Sequence, residues 1–400
     1  LDTVQTNDEA SFGAEMIAVT MGIDALERRR SKQDGLLDSE GLVPIYLGKH
    51  LFAARDYAHW WDVEDDLNRL QESVAGLGSE RRRVFATDMI RSLKIAVRLF
   101  AGASPSFELK VRDLVGAPVG PVDPALIDAI SARIDTLLRG RGFHRGTLAE
   151  RITAWESSGF IDVQAIEPTV RALMAEARRR TAETIFDCGD FEMSLNPVKN
   201  VPYTARCSFS EGKMDLNLEN GFTRAALKHL VAHEVFPGHA TQLLYTLDGV
   251  ERGTSEPEAL LCTANTVLGC VQEGIGDDGV ELIDWLEDDD DLIYAELRNL
   301  RSAAQTSAAW HLMVDGWEAD AVAAYLRETA AGQEAWVQGR LRMAAHPFRG
   351  PFIASYWAGT VAVRALRDRT PEAARAAFIA YLFGHAHSPR SLALFQPGAA

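Results

Sequence analysis

A mainly α-helical fold with one small β element is what this sequence predicts, on three observations. Apolar residues recur at three- and four-residue spacings along most of the chain, and Ala, Leu, Arg and Glu dominate those stretches. One six-residue segment alternates strictly instead.

The helical pattern is clearest at residues 79–101, 123–138, 147–157 and 169–186. Ser79-Glu80 and Asp123-Pro124 read as helix starts, each a capping side chain followed by a residue suited to the first turn. Residues 140–146, rich in glycine, separate two of these helices. In residues 207–219 the signal changes. Glu211-Gly212-Lys213 is a turn signal, and Met214-Asp215-Leu216-Asn217-Leu218-Glu219 alternates as a half-buried strand does, which predicts a hairpin. Helices resume at Thr223 and continue to the end. The acidic run 287–291 reads as a turn or helix start, because it lacks the glycine and glutamate of a calcium-binding loop. There is no internal repeat and no low-complexity linker. The expectation is one helical body, with residues 1–200 walling a cleft and residues 201–400 carrying the chemistry.

Of 400 residues, 47% are hydrophobic and 24% charged, enough apolar material for a large core. The net charge of -16 repels phosphate backbones, so no nucleic-acid partner is expected. Arginine clusters at 28–30, 81–83 and 178–180 lie near glutamates and read as solvated helix faces. Cys188, Cys207, Cys262 and Cys270 match no zinc-ribbon or Cys-x-x-Cys spacing and are too few for a disulfide scaffold, so buried free thiols are expected. No apolar run approaches the roughly 20 residues of a membrane span. The first ten residues are polar and acidic, unlike a signal peptide, so the expectation is a cytoplasmic protein without a membrane partner. The chain starts with Leu, which leaves a removed leader open.

The stretch 224–242 carries the chemistry. An apolar helix, residues 225–232, runs into His233-Glu234. Adjacent His and Glu suit metal-assisted hydrolysis: the imidazole binds zinc and the carboxylate reaches the water as general base. The next histidine downstream, His239, comes six residues on. In a regular helix that leaves the two rings about 120° apart around the axis and about 9 Å apart along it, too far to share an ion. Pro237-Gly238 between them predicts a break that swings His239 back. His229, four residues before His233 on one helix face, is the alternative partner.

His-Glu-x-x-Pro-Gly-His followed by Gln242 resembles the signature of a bacterial family catalogued as domain of unknown function 885, which belongs with the gluzincin metallopeptidases. The resemblance covers roughly Tyr203 to Pro389. It implies a multi-helix gluzincin-like body holding one Zn²⁺ on His233, His239 and a later Glu-Gly, matched by Glu273-Gly274, 34 residues beyond His239. Glu256, Glu258 and Asp277 compete for that third position. The family's Tyr-x-x-Gly and helix-ending Arg are similar to Tyr356-Trp357-Ala358-Gly359 and Arg367, and its histidine ahead of a tryptophan is similar to His311 and Trp317. These matches imply catalysis by Glu234, with Tyr356 or His311 stabilising an oxyanion. Arg367, Arg301 and Gln242 fall on the substrate side, and a peptide or small amide is the implied substrate. A non-peptide metabolite at the same metal, or a non-catalytic helical metal-binding protein, are the alternatives. His385 and His387 are candidates for lining the cleft. Residues 274–279 fit Gly-x-Gly-x-x-Gly formally, but no strand precedes them and two aspartates oppose phosphate, so no nucleotide loop is expected.

Overall fold

The computed structural model describes residues 7–31, 35–38, 40–199, 201, 205–219 and 221–397. Tyr203, where the family resemblance begins, lies outside these, as do the first six residues of the polar N-terminal stretch. The fold is mainly α, with one small sheet among the described residues.

Local chemistry sets the helix starts. Ser79 caps helix Glu80–Phe100 by accepting from the Arg82 amide, and Asp123 caps Pro124–Gly140 with proline in the first turn. Thr147 and Glu150 form a reciprocal capping box on Leu148–Ser158. Helix Val163–Thr184 starts six residues before the expected 169. Asp162 caps it, and the buried Ile166 and Val170 carry it through Pro168. The acidic run opens helix Asp289–Met313, with Asp288 accepting from the Asp291 amide. The stretch after Glu256 is not one helix. A 3₁₀ turn, Pro257–Leu260, is followed by irregular chain and then helix Val267–Asp277.

The alternating segment is a strand, β3 (Lys213–Asn217), with Met214 and Leu216 fully buried. It pairs antiparallel with β2 (Ala205–Ser208) across the expected hairpin, Cys207 opposite Met214. It also pairs in parallel with β1 (Ser194–Val198), giving the order β1-β3-β2. β3 is therefore central and its main chain is already engaged on both sides. β2 is an edge.

Packing divides the chain into two units, and segments from both sides of residue 200 enter each. The first comprises Leu1–Gly120, Gln242–Gly274 and Met343–Ala400. Its core includes Met16, Ile17, Ile23, Phe85 and Met89, all fully buried. Arg82 there grips the buried Glu258 with two nitrogens, at 2.7 and 2.9 Å, and Arg81 meets the buried Glu256. The cluster 81–83 is thus no solvated face: two of its arginines neutralise interior carboxylates. The second unit comprises Pro121–Thr241 and Ile275–Arg342. In it, helix Arg224–Glu234 packs on Val163–Thr184, and Asp289–Met313 packs on Pro124–Gly140 and Ala319–Ala330. All four cysteines are free. Among the described residues, no helix is long and apolar enough to cross a membrane.

Helix Arg224–Glu234 is anchored by Lys228, 1% exposed, whose ammonium meets Asp291, Glu287 (2.7 Å) and the Trp285 carbonyl (3.1 Å). Removing that charge strands the buried Asp291 carboxylate. Lys228→Met is expected to cost about 3–5 kcal/mol of unfolding free energy, whereas Arg171→Met, at an exposed pair, costs at most about 1 kcal/mol. Denaturant titration of both variants checks the difference.

Candidate metal centre

Thr223 starts helix Arg224–Glu234 by capping the Ala226 amide, and Leu227 and Val231 bury its apolar face. The helix stops after Glu234, and a second helix, His239–Glu251, begins at the other histidine. Between them the Phe236–Pro237 peptide is cis. Pro237 has no amide hydrogen to offer the helix. The carbonyls left at the helix end are taken up locally: Val231 accepts from the Val235 and Phe236 amides, Ala232 from Gly238 at 2.8 Å, and Val235 from Thr241. A Cβ on Gly238 would lie 1.7 Å from the His233 carbonyl oxygen, so only glycine fits. The break brings the His233 and His239 rings to 4.8 Å between centroids, at 85° to each other.

His233, His239 and Glu273 each offer a ligand atom, all within 4.8 Å of one another. Donors each about 2.05 Å from a tetrahedral ion are about 3.3 Å apart. Two imidazoles and one carboxylate is a donor set suited to zinc. A second triad shares His233: His229, His233 and Asp277.

Partners distinguish the two. His233 Nδ1 lies 3.0 Å from Asp277 Oδ1, and that same oxygen receives Arg298 Nη2 at 2.8 Å and faces His229 Nε2 at 3.4 Å. Burial pushes the Asp277 carboxyl up, but the Arg298 guanidinium and the hydrogen bonds from His229 and His233 outweigh it and hold it well below the ordinary carboxylate range. A cation there would face the arginine. Asp277 is better suited to orient His233 through Nδ1, leaving Nε2 for an ion, as carboxylates commonly do for ligating histidines. Burial, with Arg298 next, lowers His229 to about 4, so it is a neutral ring against Tyr294.

Glu273 is fixed through its neighbours. Gln242 donates to the Gln272 carbonyl (3.2 Å), and the Gln272 side chain bonds the Leu261 carbonyl and Thr263 amide. Gln242 thus ties its own helix to the glutamate's helix. At Gly274 the backbone meets Gly359 of helix Ile353–Arg369; a Cβ there would come within 2.3 Å of the Gly359 backbone. Tyr356, one turn before Gly359, therefore lies near the crossing that seats Glu273, its ring edge-on to Phe352.

Other expected residues are placed elsewhere. His311 bonds Asp315 (2.7 Å) and stacks on Trp317 with centroids 4.1 Å apart. It follows Arg298 on one helix by 13 residues, about 20 Å of rise. Arg301 is held in a two-pronged pair with Glu156 at 2.9 and 3.0 Å. Arg367 lies 11 residues beyond Tyr356, about 16 Å along the helix, beside Asp368. His385 bonds the buried Glu256, and His387 the Tyr381 carbonyl; both knit the first unit.

Comparison with known proteins adds the fold. No family model matches the chain, and no curated protein matches its sequence. Among solved structures, the chain is similar to one described as a putative lipoprotein from Colwellia psychrerythraea, with TM-score 0.60 and 15% identity over 82% of this chain. It spans 65% of that protein's length. It is also similar to a putative lipoprotein of unknown function from Shewanella oneidensis, with TM-score 0.53, 16% identity, and coverage of 83% of this chain and 70% of the other. These likenesses establish a shared fold.

If Asp277 orients and His239 ligates, Asp277→Asn weakens zinc binding by about 10–100-fold. His239→Ala and Gly238→Ala abolish stoichiometric binding, and His229→Ala retains it. Chelator competition on the four variants measures this; loss of zinc in His229→Ala with retention in His239→Ala would transfer the site to the other triad.

Proposed function

We propose that this chain is a metal-dependent hydrolase that cleaves a peptide or small amide bond. The observation that carries this reading is the convergence of His233, His239 and Glu273, with Glu234 adjoining the first ligand. The resemblance of residues 233–242 to the domain of unknown function 885 signature supports it. A divalent cation held there, zinc by the donor chemistry, would polarise the scissile carbonyl and acidify a water. Glu234 takes the proton from the attacking water and delivers it to the leaving amine as the C–N bond breaks. Tyr356 donates its phenolic hydrogen to the oxygen that gains charge. Three protein ligands leave a position open, which favours catalysis over a closed structural site.

A peptide or small amide as partner, a cytoplasmic setting, and the absence of nucleic-acid and membrane partners belong to the same proposal. The acidic charge supports the exclusion of nucleic acid.

Glu234→Gln is expected to keep one zinc per chain by elemental analysis and to lose about 10²–10⁴-fold in turnover of a fluorogenic peptide library. Unchanged turnover would refute the general-base role. Turnover of small amides but no peptide would point to the metabolite alternative.

A further inference from the structure

Between helix Glu334–Ala345 and helix Ile353–Arg369 the chain reads His346-Pro347-Phe348-Arg349-Gly350-Pro351. The two prolines offer no amide hydrogen, so the backbone donors between them are those of Phe348, Arg349 and Gly350. One residue accepts from all three. The His346 ring takes the Phe348 amide at 3.2 Å and the Arg349 amide at 3.1 Å on Nδ1, and its carbonyl takes the Gly350 amide at 2.8 Å. A ring nitrogen that accepts from two amides carries no hydrogen, so the geometry calls for the neutral imidazole with its proton on Nε2. The turn is also held from outside. The Lys110 ammonium, on the π-helical turn Lys110–Val115, donates to the Pro347 carbonyl at 2.7 Å. The fully buried Phe348 lies against Phe100, with ring centroids 5.0 Å apart. Arg349 pairs with Asp38 and, at 3.0 Å, with Glu40.

We propose that His346 is a pH-sensitive latch: neutral, it closes the turn that leads into helix Ile353–Arg369, and protonated on Nδ1 it lets that turn open. A proton on Nδ1 converts the acceptor into a donor facing two other donors, so both amide bonds are lost together. The charged groups around the ring are Arg349 on its own turn, Lys110 on the π-helical turn, and Asp38, already engaged by Arg349. Burial first, then the Arg349 charge, hold the imidazole below the ordinary histidine value of 6.5; Asp38 opposes this, and Lys110 adds to it. An opened turn, with its ring in water, therefore takes up a proton before the closed one does. Closure is fully favoured above the ordinary value and weakens as pH falls from there towards the lowered value of the closed turn. The ring is half-buried, so solvent protons reach it. The helix that follows carries Tyr356, and also Gly359, whose backbone meets Gly274 beside Glu273. The latch is independent of the hydrolase reading, because it acts on the backbone whatever the chemistry.

The test is amide hydrogen exchange of the full chain, read by mass spectrometry on peptides covering residues 346–352 and corrected for the intrinsic effect of pH. Between about pH 7 and about pH 5, the range in which histidine changes charge, opening of this segment is expected to rise by about fivefold or more, the equivalent of one amide hydrogen bond. Peptides from helix Pro124–Gly140 are expected to stay unchanged, which separates the latch from general acid unfolding. His346→Asn supplies a side-chain oxygen that accepts from amides two and three residues on and does not titrate. It is expected to keep the protection seen at neutral pH and to lose the acid response. His346→Ala is expected to show at neutral pH the exposure that the wild type reaches in acid, with no further change on acidification. Either variant suffices if the other folds poorly, and any metal lost in acid is lost from both variants alike. A wild type whose segment keeps its protection at about pH 5 overturns the proposal. So does a wild-type acid response that survives in either variant, because the titrating group would then lie elsewhere.

Discussion

The hydrogen bond from the Gly238 amide to the Ala232 carbonyl is the constraint on which the rest of the centre depends. A helix that stops in the interior must satisfy its last carbonyls, and proline at position 237 withdraws one donor that would have done so. Gly238 replaces it by pressing its backbone onto the helix end, at a distance no Cβ tolerates. The next helix then starts at His239 instead of several residues later. If that bond were lost, the chain would leave along another path. His239 would not meet His233.

His233 joins two sets of interactions because its ring has two nitrogens with different tasks. Nδ1 belongs to an interior network in which Asp277 is shared with Arg298 and His229. The ring also lies beside His239, and with Glu273 the three offer ligand atoms within 4.8 Å of one another. An anionic aspartate alone beside the ring would attract a cation to the wrong side. Arg298 removes that attraction while leaving the oxygen able to accept from the ring. The two triads are equally plausible by residue type, and they differ in the positive charge that Arg298 sets beside Asp277.

Much of this was legible in the sequence, and the boundary of legibility is physical. Caps at Ser79, Asp123 and Thr147 are local, and so is the turn that joins β2 to β3. The Pro237-Gly238 break could be argued from backbone geometry alone. The parallel addition of β1 could not be read, because it is a non-local pairing, and it makes β3 the central strand. Arg301 offered no sign of its partner, since Glu156 lies 145 residues away. Glu273 and Asp277, four residues apart on one helix face, are interchangeable by pattern. Their tasks separate only once Arg298 and Gln242 are placed.

The glycines at 274, 276 and 279 show how a motif can be formally present yet have an unrelated cause. They do not form a phosphate-binding loop: Gly274 and Gly276 lie inside helix Val267–Asp277, and Gly279 begins the short helix after it. Each is small for a different neighbour. Gly274 meets the Gly359 backbone; a Cβ on Gly276 would come 2.9 Å from His233 Nδ1, and one on Gly279 2.9 Å from the Ala232 carbonyl oxygen. Two of the three thus make room for the helix end that carries His233, and the first lets the helix of Tyr356 approach. The spacing that imitates a nucleotide fingerprint therefore arises from three separate close approaches, each at its own glycine.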